Sequence, residues 1–390
     1  MKKLKLGIFG FGCVGQGLYQ VLKESNAINS EIVKICIKDP KKPRLLADHY
    51  FTTDKNELLD NEEIDVIVEL IDDADAALQI VTTAMNNGKS VVSANKKMIA
   101  EHLTTLLTLQ EANDVSFLYE ASCCASIPII RNLEEYYDND LLTSLEGIFN
   151  GSTNFILTKL IKENRQYADV LAEAQALGFA ETDPSLDVEG IDSKYKLSIL
   201  LFHAFGLLCD PKDIFNFGIT RINAFDLDYA KKRGYTIKLI SKCARKDNQI
   251  EAYCMPAFVA DTSILAQTSN EYNAVVLESV FSESQLLYGK GAGDKPTGSA
   301  VLSDISALSY HYRYEYKKWA KNESILSLAQ DFNIRVYVRY QDQSPNFDDF
   351  VSIEERYYGE DGNFLVGNIS LNKLRNAQWL SQEGINVIVI

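Results

Sequence analysis

LKLGIFGFGCVGQG, residues Leu4–Gly17, decides the fold class. Its first half, Leu4 to Phe9, is an apolar run with the length and composition of a buried strand. Its second half places Gly10, Gly12 and Gly15 in GxGxxG spacing and leads into a helical pattern from Gln16 to Glu24. Such spacing is weak alone, but directly after a strand and at the opening of a helix it has a physical meaning. The glycines permit a tight turn and close backbone approach, so a pyrophosphate can rest on the helix N-terminus. Gly10, Gly12, Cys13, Val14 and Gly15 are therefore candidate cofactor-binding residues; the alternative is a glycine-rich turn without a ligand.

Outward from this stretch the pattern repeats. Strand-like runs at Glu31–Ile37, Ile64–Leu70, Ser90–Ser93 and Val115–Tyr119 alternate with helical spacing at Ala74–Asn87 and Met98–Asn113. That alternation predicts an α/β domain, a Rossmann-type doubly wound parallel sheet. Beyond Asp140 the rhythm changes: LLTSLEGIFN reads as a strand, GSTN as a turn, two helices follow, and two strands flank a polar KDNQ turn. Grouped elements of this kind predict an α+β domain. After about Ala320 a strand (Ile334–Tyr340), a helix (Leu371–Glu383) and a last strand (Asn386–Ile390) read as a separate segment.

The net charge of −15, from 39 basic and 54 acidic residues, argues against nucleic acid or an anionic membrane as partner, since both need a positive field. No apolar stretch has transmembrane length. Seven scattered cysteines without a CxxC pair read as reduced thiols, which points to a cytoplasmic protein.

Three local patterns carry chemistry. The second strand ends in Lys38-Asp39-Pro40-Lys41-Lys42-Pro43-Arg44, where NAD-selective domains offer a carboxylate and NADP needs a cation. Lys38 comes first, so NADP(H) is favoured over NAD(H), with a solvated charge run as the alternative. Ser93-Ala94-Asn95-Lys96-Lys97 follows a sheet strand whose carboxyl end faces the same crevice, which makes Ser93 and Lys96 candidates for cofactor or substrate contact. Finally, ETDPSLDVEGIDSKYK (Glu181–Lys196) gathers acids ahead of an apolar helix. Asp192 and Lys196 at i, i+4 could simply support that helix, and acids suit its start. A lone His203 on the same apolar helix reads as a packed core residue.

Several blocks in order change that balance. GFGCVGQG, VVSANKK, YEASCCASIPII, GIFNGSTNFIL, FAETDPSLDVEGIDSKYKLSIL and GKGAGDKPTGSAVLSDI together resemble homoserine dehydrogenase, over roughly residues 4–310. The resemblance implies interconversion of L-homoserine and L-aspartate 4-semialdehyde with NAD(P)(H), on the way to threonine and methionine. It implies a Rossmann domain over 1–130, joined by a helix near 297–320, an α+β substrate and dimerisation domain over 131–310, and a homodimer or higher homo-oligomer. A tail such as 325–390 implies a small ACT-like α+β module, here divergent or a dimerisation cap.

By the same resemblance Lys196 is the acid/base lysine, Lys96 the second active-site lysine and Asp192 an acid of both catalysis and substrate binding. Glu181 and Asp187 complete the substrate-binding set, and Gly291 and Gly293 lie in a glycine loop on the cofactor. Glu120 with the carbonyls of Cys123, Ala125 and Ile127 matches a monovalent-cation site, sodium in the family. In the oxidative direction a general base must take the hydroxyl proton as the carbonyl forms, and a lysine serves if its amine is neutral. Lys96 and Lys196 are expected to converge on that site, with the acids holding the substrate ammonium.

Two departures bear on this. The family's glycine-rich loop is here Cys-Cys-Ala-Ser-Ile-Pro, so a positive φ at Cys124 or Ser126 would carry strain of ~1 kcal/mol or more. Asp72-Asp73 replaces a small-residue turn and would repel an anionic cofactor unless turned away. They motivate one alternative, a nucleotide-binding regulatory homologue with weak or no activity; an oxidoreductase acting on a related amino-acid aldehyde is a separate alternative.

Overall fold

Strands β1 (Leu4–Phe9), β2 (Ser30–Cys36), β3 (Phe51–Thr52), β4 (Val66–Glu69), β5 (Ser90–Ser93) and β6 (Phe117–Leu118) pair in parallel in the order β3-β2-β1-β4-β5-β6. The structure, a computed structural model, describes residues 3–25, 28–44, 46–138, 141–163, 165–322 and 326–390. The order reverses between β1 and β4, the switch point of a doubly wound sheet, where ligands bind outside the carboxyl ends of the strands. Every residue of β4 is buried, as a central strand covered on both faces requires.

The longer helices are α1 (Cys13–Glu24), α2 (Ala74–Asn86), α3 (Lys96–Asn113), α4 (Gly151–Glu163), α5 (Ile191–Phe205) and α6 (Asp294–Leu308). The crossing of α1 and α6 is close enough that a Cβ on Gly17 would lie 2.0 Å from the Asp294 carbonyl oxygen. Only a residue without a side chain fits there.

Two compact units divide the chain. The first comprises Met1–Asn139, Phe202–Leu208 and Gly289–Lys321. The boundary expected at 130/131 thus falls later, because Ile130, Leu133 and Tyr137 are buried in this unit and Glu134 bonds to His203 and Tyr316. The second unit comprises Asp140–Leu201, Cys209–Tyr288 and Asn322–Ile390. Its strands are β7 (Leu142–Ile148), β8 (Phe215–Asn216), β9 (Tyr235–Lys246), β10 (Gln249–Ala260), β11 (Tyr272–Ser279), β12 (Glu283–Lys290), β13 (Ser327–Leu328), β14 (Asn333–Tyr340), β15 (Phe350–Gly359), β16 (Gly362–Ser370) and β17 (Asn386–Val389). They form one 11-stranded sheet of order β12-β11-β7-β9-β10-β17-β14-β16-β15, with β8 and β13 added beside β10.

Both faces of this sheet are buried near its middle. Val336, Val338, Val387 and Val389 join one apolar cluster, while the intervening Tyr337 and Ile388 join another with Phe155, Ile156 and Leu160 of α4. Strand alternation sends successive side chains to opposite faces, and each face has its own cover.

The C-terminal segment differs from its expected separate status. Its strands lie in the order fourth-first-third-second, with a helix (Leu371–Asn376) between the third and fourth, as in a ferredoxin-like βαββαβ unit whose first helix has shrunk to the turn Phe347–Asp349. It is no detached module, however, because β17 pairs in parallel with β10 and continues the sheet. Ile325, the expected boundary, lies outside the described residues. The helix expected over 371–383 ends at Asn376; Trp379 is instead buried and donates its indole N–H to Asp349 (2.8 Å). The GSTN turn is likewise the first turn of α4, capped by Asn150 Oδ1, which accepts from Thr153 N–H at 2.8 Å.

Candidate active site

In the first unit the turn between β1 and α1 is built by Gly10, at φ +92°, whose missing Cβ leaves room for the Leu70 carbonyl 2.6 Å away. Gly12 is the N-cap of α1, carries no capping side chain, and a Cβ built on it would meet nothing within 4 Å. The helix N-terminus is therefore open to an anion, which fits a dinucleotide pyrophosphate. Cys13 and Val14 open the first turn and Gly15 is buried behind them. Burial, and then the Asp294 charge, pushes the Cys13 thiol up, so it remains neutral.

Ser93 and Lys96 stand at the carboxyl end of β5. Ser93 is buried and donates to Glu69 Oε2 (2.5 Å), while Glu69 Oε1 accepts from Ile71 N–H (2.7 Å). Asn95 caps α3 through Met98 N–H (3.0 Å) and donates to the Ile71 carbonyl (3.0 Å), so the start of α3, where Lys96 sits, is braced against the turn after β4. Asp73 in that turn is not a repulsive bystander: it caps α2, accepting from Ala76 N–H at 3.0 Å.

Burial pushes Glu69 from about 4.5 up to about 7, against the pull of its Ser93 and Ile71 donors. The folded chain then holds this proton after the unfolded chain has released it. Its contribution to stability falls as pH rises between about 4.5 and about 7. At roughly 1.4 kcal/mol per pH unit the loss amounts to a few kcal/mol. Glu69→Gln should flatten this part of the stability–pH curve in denaturant titrations, and an unchanged slope would contradict the assignment.

Lys38 is exposed beyond the end of β2. The neighbouring Asp39 turns its carboxylate onto its own loop, accepting from Lys41 N–H at 2.9 Å. Pro40, Lys41, Lys42, Pro43, Arg44, Phe51 and Thr52 contribute to the lining of a cavity of about 550 Å³. Arg44 lies 5.1 Å from the Phe51 ring centroid and donates to the Lys42 carbonyl (2.7 Å), which holds a cation at this rim.

Gly293 caps α6 at φ +126°, with Gly291 buried two residues earlier. This loop is tied to the 123–127 loop, because Ser126 Oγ and N–H both donate to the Lys290 carbonyl (2.9 and 3.2 Å). Left-handed backbone occurs at Cys124 (φ 54°) and Ala125 (φ 44°) rather than at Cys124 and Ser126. Ser126, tethered to the Lys290 carbonyl, keeps ordinary backbone. Before this loop, Glu120 is buried and accepts from Ile130 N–H (2.8 Å) and Arg131 N–H (2.9 Å). Its own N–H donates to Asp304 (2.8 Å), which pairs with Arg131 at 2.8 Å. Two buried carboxylates thus face one guanidinium. Burial, reinforced by Asp304, pushes Glu120 up to about 8, and burial pushes Asp304 to about 6.

The second unit sorts the acidic stretch into separate jobs. Asp183 accepts from Ser185 N–H (3.1 Å), ahead of a short helix, Ser185–Val188. Glu189 accepts from Thr220 Oγ1 (3.1 Å), and Lys194 turns to Asn216 (2.8 Å). Asp187 and Asp192 instead meet at Asn150, whose Nδ2 donates to Asp187 Oδ1 (2.6 Å) and Asp192 Oδ2 (2.9 Å). Lys196 is buried; its Nζ lies 2.7 Å from Asp192 Oδ2 and donates to the Phe149 carbonyl at 2.8 Å. Asn273 donates to the same carbonyl (3.1 Å). The i, i+4 pair is therefore more than surface support for α5. Glu181 is exposed, and among the described residues no hydrogen bond joins its carboxylate to this cluster.

His203 is a packed core residue, buried between Glu134 (2.6 Å) and the Tyr119 hydroxyl (2.9 Å). Sequence reasoning missed Asn150, Asn273 and Asp304 as members of these clusters. Asn150 lay in plain view at the exit of an apolar strand, but nothing local says which acids it holds.

The comparisons agree with one another. Residues 128–306 match the homoserine dehydrogenase domain family, and residues 10–120 match the homoserine dehydrogenase NAD-binding domain. The chain is 35% identical over 372 residues to homoserine dehydrogenase of Bacillus subtilis, covering 90% of this chain and 85% of that protein. It is 38% identical over 313 residues to the Lactococcus lactis homoserine dehydrogenase, covering 77% and 73% of the two chains. Among solved structures, a homoserine dehydrogenase from Thiobacillus denitrificans superposes with a TM-score of 0.87 at 29% identity, covering 100% of this chain and 98% of that one. A hyperthermophilic archaeal homoserine dehydrogenase in complex with NADPH gives a TM-score of 0.69 at 25% identity over 80% of this chain and 99% of that one.

Proposed function

The chain belongs to the homoserine dehydrogenase family, and from that premise we propose that Lys196 is the acid/base that moves the substrate's hydroxyl proton. The enzyme is a nicotinamide-dependent oxidoreductase. The observation that carries the proposal is the buried amine of Lys196, fixed between Asp192 (2.7 Å) and the Phe149 carbonyl (2.8 Å). The bound nicotinamide supplies the chemistry of hydride exchange with the substrate carbon. In the oxidative direction the neutral amine of Lys196 takes the hydroxyl proton as the carbonyl forms; in reduction its ammonium returns that proton to the developing alkoxide. Asp192 orients the amine, and Asp192, Asp187 and Glu181 are assigned to the substrate ammonium. Lys96, at the start of α3, is assigned as the second active-site lysine.

Gly10, Gly12, Cys13, Val14 and Gly15 would hold the cofactor's pyrophosphate, with Ser93, Gly291 and Gly293 in the same unit. NADP(H) is proposed over NAD(H), and the basic rim of Lys41, Lys42 and Arg44, preceded by the exposed Lys38, supports this, since Asp39 is occupied by its own turn. Arg44→Ser should lower kcat/KM for NADPH by about tenfold relative to NADH, as loss of one charge-assisted contact implies. Equal losses with both cofactors would count against this rim as the selecting feature.

Glu120 and the carbonyls of Cys123, Ala125 and Ile127 are proposed to hold a monovalent cation, by resemblance sodium. Hard oxygen donors suit such an ion, and its charge would balance the second buried carboxylate of the Glu120–Asp304–Arg131 group. A homodimer or larger homo-oligomer is proposed from the exposed apolar side chains Leu141, Val280, Phe281 and Tyr288 around β7, β11 and β12. No helix among the described residues is long and apolar enough to cross a membrane, and seven free thiols support a reducing, cytoplasmic setting.

The direct test is consumption of NADPH, followed by its absorbance, on addition of L-aspartate 4-semialdehyde. Cofactor binding without turnover would instead favour a regulatory homologue.

A further inference from the structure

Phe149 and Asn150 form a hub at the exit of β7. The Phe149 carbonyl receives Lys196 Nζ (2.8 Å) and Asn273 Nδ2 (3.1 Å), and the Asn150 amide reaches two acids at 2.6 and 2.9 Å. A carboxamide nitrogen carries two protons, and here each is given to a different carboxylate. Asp192 Oδ2, which receives one of them, is also the oxygen that pairs with Lys196.

We propose that Asn150 is a positioning residue for proton transfer, its amide fixing Asp187 and Asp192 so that Asp192 holds the Lys196 amine in place. The proposal rests on the reading of Lys196 as acid/base. Asn150 also has a purely structural job, because its Oδ1 caps α4 through Thr153 N–H (2.8 Å). The two jobs use different atoms and can be separated.

Asn150→Asp separates them. An aspartate keeps the capping oxygen and remains a favoured N-cap residue. It removes both amide donations and adds a third carboxylate beside Asp187 and Asp192. Among the described residues, the charged and titratable groups of this cluster are Asp192, paired with Lys196 on its own helix, Asp187 on the short helix Ser185–Val188, joined to Asp192 through Asn150, and Cys254 of β10, close enough to Asp192 and Lys194 for their charges to interact. Burial pushes that thiol up to about 12, so it stays neutral. Added negative charge favours the ammonium form of Lys196. The amine then becomes available as base only at higher pH.

The experiment measures homoserine oxidation across pH for wild type, Asn150→Asp, Asn150→Ser and Lys196→Ala, with unfolding midpoints alongside. The expected result for Asn150→Asp, assayed well below its unfolding midpoint because the third carboxylate lowers that midpoint, is a kcat at neutral pH lower by about 10- to 100-fold and a rising limb displaced upward by about one pH unit or more. Asn150→Ser, which keeps a cap and one donor, should fall between. An unchanged kcat and limb in Asn150→Asp would overturn the proposal, as would a rise in KM alone. If the aspartate variant does not fold, full kcat in Asn150→Ser overturns it. Lys196→Ala separates the two failures. If it loses turnover while Asn150→Asp is normal, only this proposal falls; if it keeps turnover, the reading of Lys196 falls.

Discussion

Lys196→Ala will lower the turnover of homoserine by ~10²-fold or more, the range that loss of a positioned acid/base produces. The amine is buried and held by two oxygens at 2.7 and 2.8 Å, so no neighbouring side chain slides into its place without breaking that geometry. NADPH affinity should stay close to wild type, because the glycine turn between β1 and α1 belongs to the other unit. Alanine also strips Asp192 of its cation, so lost turnover must be separated from lost structure. Lys196→Arg makes that separation: a guanidinium can keep the pair with Asp192, yet it does not release its proton at any working pH. Arginine should therefore hold the unfolding midpoint while turnover still falls. Turnover preserved at saturating substrate, with only NADPH binding reduced, would remove Lys196 from the chemistry.

What could be read from the chain follows the range of the interactions. The β1 strand, its glycines and the opening of α1 are consecutive, and their spacing alone predicts the dinucleotide turn. Asp192 and Lys196 are a helical turn apart and were visible as a pair, though not as a buried one. Asn150 is different: its acids lie 37 and 42 residues further along, so its short NGSTN context looks like a turn and the clamp leaves no local trace. The same holds for Asp304, which is 184 residues from Glu120. Left-handed backbone was anticipated at Cys124 and Ser126 and occurs at Cys124 and Ala125; the Ser126 tether to Lys290 joins residues 164 apart, so it leaves no local trace. Exposed Glu181 stays undecided by local pattern, because an acid before a helix looks alike whether it binds or caps.

The C-terminal segment shows the same limit at larger scale, and Arg339→Ala will expose it by costing ~3–5 kcal/mol of unfolding free energy. Arg339 is 4% exposed and Asp226 fully buried, and their ion pair is 3.0 Å long. The guanidinium also donates to the Gly384 carbonyl (3.1 Å) and the Arg221 carbonyl (2.7 Å), stitching β14 to segments before and after it. Tyr337 (3.1 Å) and Asn386 (2.9 Å) donate to the same Asp226, so one buried acid gathers β14, β17 and the helix Ala224–Lys232. Without Arg339 that acid keeps its neutral donors but loses its only ion-pair partner among the described residues. Burial already raises Asp226, with Arg339 the leading opposing influence, so the variant should raise it further. A raised acid stabilises the fold below its pKa and loses that contribution as pH rises, so the deficit should be smaller at pH 5 than at pH 8. Arg339→Met combined with Asp226→Asn removes both charges and retains a side chain able to cap, and it should recover most of the loss. Denaturant unfolding at the two pH values decides the matter. A deficit under ~1 kcal/mol, equal at both, would mean the segment is only loosely attached to the substrate-unit sheet.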